Sequence, residues 1–182
     1  MRFDLFHQIY ASDLSKISVA MLILLIVWSV FGVLFYKKMR IIGAILAVFF
    51  VVVIIYGTIL SRTAGVRAYD LTPFSSFHKA VVQREIYRSM LMNVFLFMPL
   101  GFTLPFVFKG GTMKRFFLTL LSGFFLSVAI EITQFFFSLG LAETDDVICN
   151  TIGAALGSCS YLFSSLWRTI MLKYGKEEKT DE

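Results

Sequence analysis

Five long apolar runs, separated by short polar or charged intervals, set the pattern of this chain. The runs cover residues 17–36, 41–60, 90–108, 116–139 and about 147–167. A helix of about 20 residues crosses the roughly 30 Å hydrocarbon core of a bilayer. The pattern therefore predicts an all-α fold, a polytopic membrane helix bundle with about five transmembrane helices.

The composition agrees with a membrane protein and excludes a soluble nucleic-acid-binding domain. Hydrophobic residues make up 58% of the 182 positions and charged residues only 16%, whereas about a quarter of a soluble domain is charged. The net charge is +5, but the basic residues lie in the short intervals between apolar runs. That placement is typical of membrane topology signals, so we expect membrane lipid and no nucleic acid as partners.

The charge distribution also predicts domain limits and orientation. We divide the chain into an N-terminal interfacial segment (1–16), a transmembrane domain (17–167) and a charged cytoplasmic tail (168–182). The intervals that share a side with the tail hold ten Lys and Arg against seven on the other side. Basic loops favour the cytoplasm, which places the N-terminus outside in a multi-pass protein of the cell membrane.

Two apolar runs carry polar residues on one helical face. In the fourth run Glu131 and Gln134 share a face with Ser127 and Ser138, and in the fifth run Asp146 and Asn150 share one with Gly153 and Gly157. A carboxylate facing lipid costs several kcal/mol, so these faces should be covered by protein. The glycine pair permits a close approach of another helix.

The third run is interrupted by Pro99, Gly101 and Pro105 and begins with the polar Asn93. Proline removes a helical hydrogen bond, so we expect a kinked or partly unwound helix around Pro99–Gly101.

We expect the polar residues of these three runs to converge on one outward-facing pocket. Arg67, in the interval 61–89, would lie at its rim and compensate the acidic turn that contains Glu143. The predicted lining residues are Asn93, Glu131, Gln134, Asp145, Asp146 and Asn150. The simpler alternative is that these residues hold helices together, with Asp145 or Asp146 capping the fifth helix. Cys and His positions show no metal-ligand spacing, and we expect no metal and no cofactor.

Several of these segments resemble the VanZ family of small bacterial membrane proteins. The matching stretches, in the family's order, are DLTPF from Asp70, NVFLFMPLG from Asn93, EITQFFF from Glu131 and DDVICNTIGAALG from Asp145. They cover roughly residues 60 to 165. The chain departs from the family pattern at Leu141, where an Arg is usual, and at Glu143, where an Asp is usual.

The resemblance implies a link to low-level resistance to teicoplanin and related lipoglycopeptides, and implies no agreed reaction. Two functions are compatible with the residues. One is a binding module at the outer leaflet that meets a glycopeptide antibiotic or a lipid-linked wall precursor. The other is an intramembrane enzyme acting on a lipid or lipid-linked substrate, with Glu131 as general acid/base and with Asp145 and Asp146 holding a cation or orienting water. An ion-coupled transporter ranks below both, because the cytoplasmic halves of the runs carry no ionisable residue. The sequence sets no oligomeric state.

Overall fold

The computed structural model describes residues 14–36 and 38–177, and these form a bundle of five long helices. The long helices are α1 (Leu14–Leu34), α2 (Met39–Ile55), α4 (Arg84–Val107), α5 (Thr112–Phe137) and α6 (Thr144–Glu177). A π-helical turn, Tyr56–Leu60, extends α2. All five are long and apolar enough to cross a membrane, which confirms the predicted fold class.

Some boundaries differ from the prediction. The interfacial segment predicted for 1–16 lies almost entirely outside the described residues, as does the end of the predicted tail. Within the described part, α6 continues to Glu177, beyond the predicted end of the span at 167.

The interval between α2 and α4 is folded rather than a plain loop. It contains a short strand, β1 (Ala68–Asp70), and a short helix, α3 (Ser75–Ala80). The strand β1 pairs in parallel with β2 (Leu141–Glu143), which lies between α5 and α6. The sequence prediction missed these three elements.

The centre of the bundle is the contact between α4 and α6, where two backbones meet without side chains between them. A Cβ on Gly153 would collide with the carbonyl oxygen of Val94, and a Cβ on Gly157 would lie 2.9 Å from the Cα of Gly101. The predicted close approach at this glycine pair is confirmed, but the partner is the third span. The fourth span meets α6 elsewhere, through Gly123, whose added Cβ would lie 2.7 Å from Ala154.

The predicted unwinding around Pro99–Gly101 is wrong. The helix α4 runs without a break from Arg84 to Val107, with Pro99 and Pro105 inside it. Both prolines are buried, and the tight glycine contact holds this stretch against α6. In a membrane, neighbouring helices and hydroxyl side chains allow proline inside a span, and here Ser158 of α6 donates a hydrogen bond of 3.5 Å to the carbonyl of Gly101, which Pro105 leaves without its helical donor.

The helix α1 packs on the opposite half of the bundle, away from β1 and β2. Trp28 donates its indole N–H to the carbonyl of Phe102 at 2.8 Å, and Ser164 donates to the carbonyl of Ser29 at 2.7 Å. Most side chains of α1 remain exposed to the surroundings. Glu131 lies toward the other end of the bundle, where the two strands pair.

Candidate functional site

Glu131 lies inside the protein and anchors the turn that joins α5 to α6. Its side chain is only 8% exposed, and its Oε2 accepts a hydrogen bond of 3.0 Å from the backbone N–H of Glu143. The turn reaches this point because Ser138 and Gly140 adopt positive φ, which reverses the chain at the end of α5. As expected, the Glu131 side chain is covered by protein and does not lie on the outer surface of its helix.

Asp145 fixes the short helix α3 to the start of α6. Its two carboxylate oxygens accept hydrogen bonds from the backbone N–H groups of Phe74, at 2.6 Å, and Ser76, at 2.7 Å. The side chain is 1% exposed. The adjacent hydroxyl of Ser76 donates to Glu143 at 3.1 Å. Asp145 therefore caps α3, a contact between residues about 70 positions apart.

The other predicted residues form separate polar contacts between helices. Asn93 of α4 hydrogen-bonds Asp146 of α6 through their side chains. Asn150 donates to Ser127 at 2.8 Å. Gln134 donates to the carbonyl of Thr58 in the π-helical turn at 3.0 Å. Among the described residues, the buried side-chain oxygens of Gln134 and Asn150 accept no hydrogen bond.

The acidic residues interact with a different arginine from the one that the sequence suggested. Arg62 lies close enough for its charge to act on both Glu131 and Asp146, although among the described residues it forms no ion pair with either. Its Nη1 lies 3.4 Å from the carbonyl of Leu139, beside the turn that contains Leu141. Arg62 therefore brings a guanidinium to this turn from another part of the chain.

Arg67 lies against the end of α5 instead of compensating the acids. It donates to the carbonyl of Phe136 at 3.1 Å, and its guanidinium lies 5.3 Å from the ring centroid of Phe135. These contacts correct the predicted role of Arg67 as the cation of the acidic turn.

A pocket of about 520 Å³ opens between α5, the strand pair and the start of α6. Its walls are mostly apolar, and two carboxylates, Glu131 and Glu143, lie on its surface. Several lining side chains are also exposed on the outside of the bundle, Ile132 at 51% and Phe136 at 64%. The remaining lining residues are Tyr69, Leu71, Val128, Phe135, Ala142, Thr144 and Val147. Such a pocket suits an apolar chain that carries a hydrogen-bond donor.

The structure does not bring all the predicted residues together in a single pocket. Glu131 lines the pocket. Asn93 and Asp146 form a pair between α4 and α6, and Gln134 and Asn150 are buried between helices. The substrate-binding and catalytic roles given to these residues stay predictions.

The carboxyl groups outside the spans have shifted acidities. Burial raises the pKa of Glu143 above its usual value, although the hydrogen bond from Ser76 acts in the opposite direction. Hydrogen bonds from Ser75 and from the backbone of Thr72 lower the pKa of Asp70 to about 2. Glu143 therefore favours its neutral form more than an exposed glutamate would, and Asp70 stays charged.

Sequence reasoning missed Glu143 as a pocket residue and Arg62 as the cation. Glu143 ends a strand of three residues, which is too short to show a periodic pattern. Arg62 follows an apolar run directly, and nothing in the sequence distinguishes it from the other four basic residues of the interval. Within the described ranges no group of three acidic, His or Cys side chains could hold a metal ion.

Five apolar spans, with buried carboxylates at one end and a glycine-lined contact at the centre, define a helical integral membrane protein. The VanZ/LLP1 family model matches residues 23–168, so the chain belongs to this family. Protein VanZ of Enterococcus faecium is 36% identical to it over 100 residues, which is 54% of this chain and 55% of the relative. The match thus spans about half of that relative's length. No solved structure matches the chain.

Proposed function

We propose that this chain is a multi-pass protein of the bacterial cell membrane that contributes to resistance to lipoglycopeptides of the teicoplanin type. On this proposal, the pocket beside Glu131 lies in the outer leaflet and binds the acyl part of an antibiotic or of a lipid-linked wall precursor. The observation that carries the proposal is the combination of apolar walls with Glu131 and Glu143 in one pocket of about 520 Å³. The apolar walls suit an acyl chain, and the carboxylates suit the amine or hydroxyl groups of its head.

Filling the pocket tests this function. The substitution Val128→Phe adds a ring to a pocket-lining position of α5. In a susceptible bacterium that expresses the protein, we expect it to abolish the gain in resistance to an acylated glycopeptide. Leu121→Phe is the matched control, because Leu121 is an exposed position of the same helix outside this pocket. Equal resistance from the Val128→Phe variant and the wild type, at equal protein levels, would contradict the proposal.

The second candidate is an intramembrane enzyme for a lipid-linked wall precursor. It is favoured by one observation: Glu131 is at once buried and part of the pocket surface, so its carboxyl group would meet a bound substrate away from water. Asp146, whose charge interacts with that of Glu131, would act beside it. Glu131→Gln separates the candidates, because Gln retains shape and hydrogen bonding but transfers no proton. An enzyme should lose all activity in this variant, whereas a binding module should retain part of its effect.

The proposed orientation is tested by labelling single cysteines from each side of the membrane. The variants Thr63→Cys and Lys114→Cys place a thiol at exposed positions near opposite ends of the bundle. Cys149 and Cys159 are first replaced by Ser, because both are free thiols. In intact cells we expect an impermeant maleimide to label position 63 and to leave position 114 unlabelled. The reverse pattern would place the N-terminus inside.

A further inference from the structure

The chain between β1 and α4 is held well below the end of the bundle. Phe137 ends α5, and Glu131 lies six residues earlier, which is roughly 9 Å deeper along the helix. The amide of Glu143 is bound to the Glu131 side chain, so β2 ends at that depth. Asp70 pairs in register with Glu143, so β1 descends to the same level.

A second set of contacts gives the same depth independently. Phe77 and Ala80 of α3 pack against Met90, Val94 and Cys149. Met90 and Val94 lie six and ten residues inside α4, which is roughly 9 and 15 Å from its start at Arg84. The helix α3 is therefore packed beside the spans and does not lie on top of them.

The outer surface of this segment is largely apolar, although His78 and Lys79 are also exposed and Lys79 pairs with Asp70 at 3.3 Å. Leu71 is 68% exposed, Phe74 51%, Val81 86% and Val82 87%. A segment in water would hide such side chains or replace them with polar ones, and a contiguous exposed apolar surface marks an interaction site. Here the surface continues the lipid-facing side of α5, where Ile132 and Phe136 are exposed.

Arginines lie at the two ends of the segment. Arg67 precedes β1, and Arg84 follows Val82 at the start of α4. Basic side chains at the end of a membrane-embedded segment suit the phosphate layer of lipid head groups. The backbone of the segment is satisfied by strand pairing and by Asp145, as non-helical chain at membrane depth requires.

From this geometry we infer that residues 68–82 form a re-entrant element embedded in the leaflet that contains Glu131, with its apolar side against lipid acyl chains. Tyr69 and Leu71 of this element are also walls of the pocket. The pocket would then open sideways, and its ligand would enter from the membrane and not from water. The inference rests on the proposed function only for the assignment of the element to the outer leaflet. The depth of residues 68–82 in the membrane does not depend on the proposed function.

The depth can be measured with nitroxide labels on single cysteines of the full-length protein in phospholipid vesicles. Cys149 and Cys159 are replaced by Ser, and labels are placed at Leu71 and Val82. Thr63 serves as the water-exposed reference and Leu121, in the middle of α5, as the lipid-exposed one. Accessibility to oxygen, which concentrates in the bilayer, is compared with accessibility to a water-soluble nickel chelate.

We expect the oxygen-to-nickel ratio at Leu71 and Val82 to be severalfold higher than at Thr63 and to approach that at Leu121. Ratios equal to that at Thr63 would show a loop in water and overturn the inference. Protection from both reagents would show a protein partner, such as a second copy of the chain, and would overturn it too. A lipid-like ratio together with unchanged drug resistance in the Val128→Phe variant would support the embedded element and contradict only the proposed function.

Discussion

The carboxylate of Asp145 should control how firmly α3 stays attached to the bundle. It accepts two backbone hydrogen bonds, from Phe74 and Ser76, while 1% exposed. A hydrogen bond to a charged group contributes about 1.5–3 kcal/mol, so the pair is worth at least about 3 kcal/mol. Asp145→Ala removes both acceptors and should raise the equilibrium constant for detachment of α3 about 100-fold. Asp145→Asn keeps one acceptor oxygen and should have roughly half that effect in free energy.

The native Cys149 reports on this detachment. It is 2% exposed and packs beneath Phe77 and Ala80, so we expect a maleimide to react with it slowly while α3 is in place and faster when α3 moves away. With the exposed Cys159 replaced by Ser, the labelling rate of Cys149 in purified protein should rise from wild type to Asp145→Asn to Asp145→Ala.

Asp146→Asn is the matched control for this experiment. It removes one negative charge from the same turn, but Asp146 bonds Asn93 and not the amides of α3. We expect little change in the labelling rate of Cys149. The reasoning is refuted if Asp145→Ala labels no faster than Asp146→Asn while both proteins remain folded.

Two further predictions follow from the packing and from the pocket. Gly153→Leu should abolish folded protein in size-exclusion chromatography, because even a Cβ would collide with the carbonyl of Val94, whereas Gly111→Ala, which meets nothing within 4 Å, should behave as wild type. Glu143→Gln should raise the melting temperature at pH 8 and leave it unchanged at pH 4. The reason is that a carboxyl group with a raised pKa contributes stability while protonated and loses it as the pH rises through that pKa. A lower melting temperature of the Gln variant at pH 8 would contradict this sign.

The spans could be predicted from the sequence because their signal is local. A run of 20 apolar residues needs no knowledge of its neighbours, and the face that carries Glu131 and Gln134 follows from helical spacing alone. The glycine pair of α6 likewise predicted a close contact with another helix. The partner helix could not be predicted, because Gly153 and Gly157 suit any helix that presents a flat surface. In the structure, α4 presents that surface at Gly101.

The parts that the sequence did not reveal depend on contacts between distant residues. The interval 61–89 has the composition of a loop, and β1 is three residues long, so only pairing with β2 makes it a strand. Asp145 caps α3 from about 70 residues away, whereas its position suggested a cap for its own helix. Pro99 predicted a kinked or partly unwound helix, and the unwinding is absent where α4 packs tightly against α6.

The backbone contact between α4 and α6 has a consequence for biosynthesis. Gly101 meets Gly157, so this contact cannot form until the last span has been made, although α4 is already inserted. Glu131 finds its amide partner, Glu143, only 12 residues later in the chain. The Glu131 carboxylate can therefore form its hydrogen bond as soon as the turn after α5 has been synthesised. The contact between α4 and α6 forms only after α6 has been synthesised. Truncation within α6 should leave the glycine surface of α4 uncovered, and an uncovered packing surface of this kind favours misassembly.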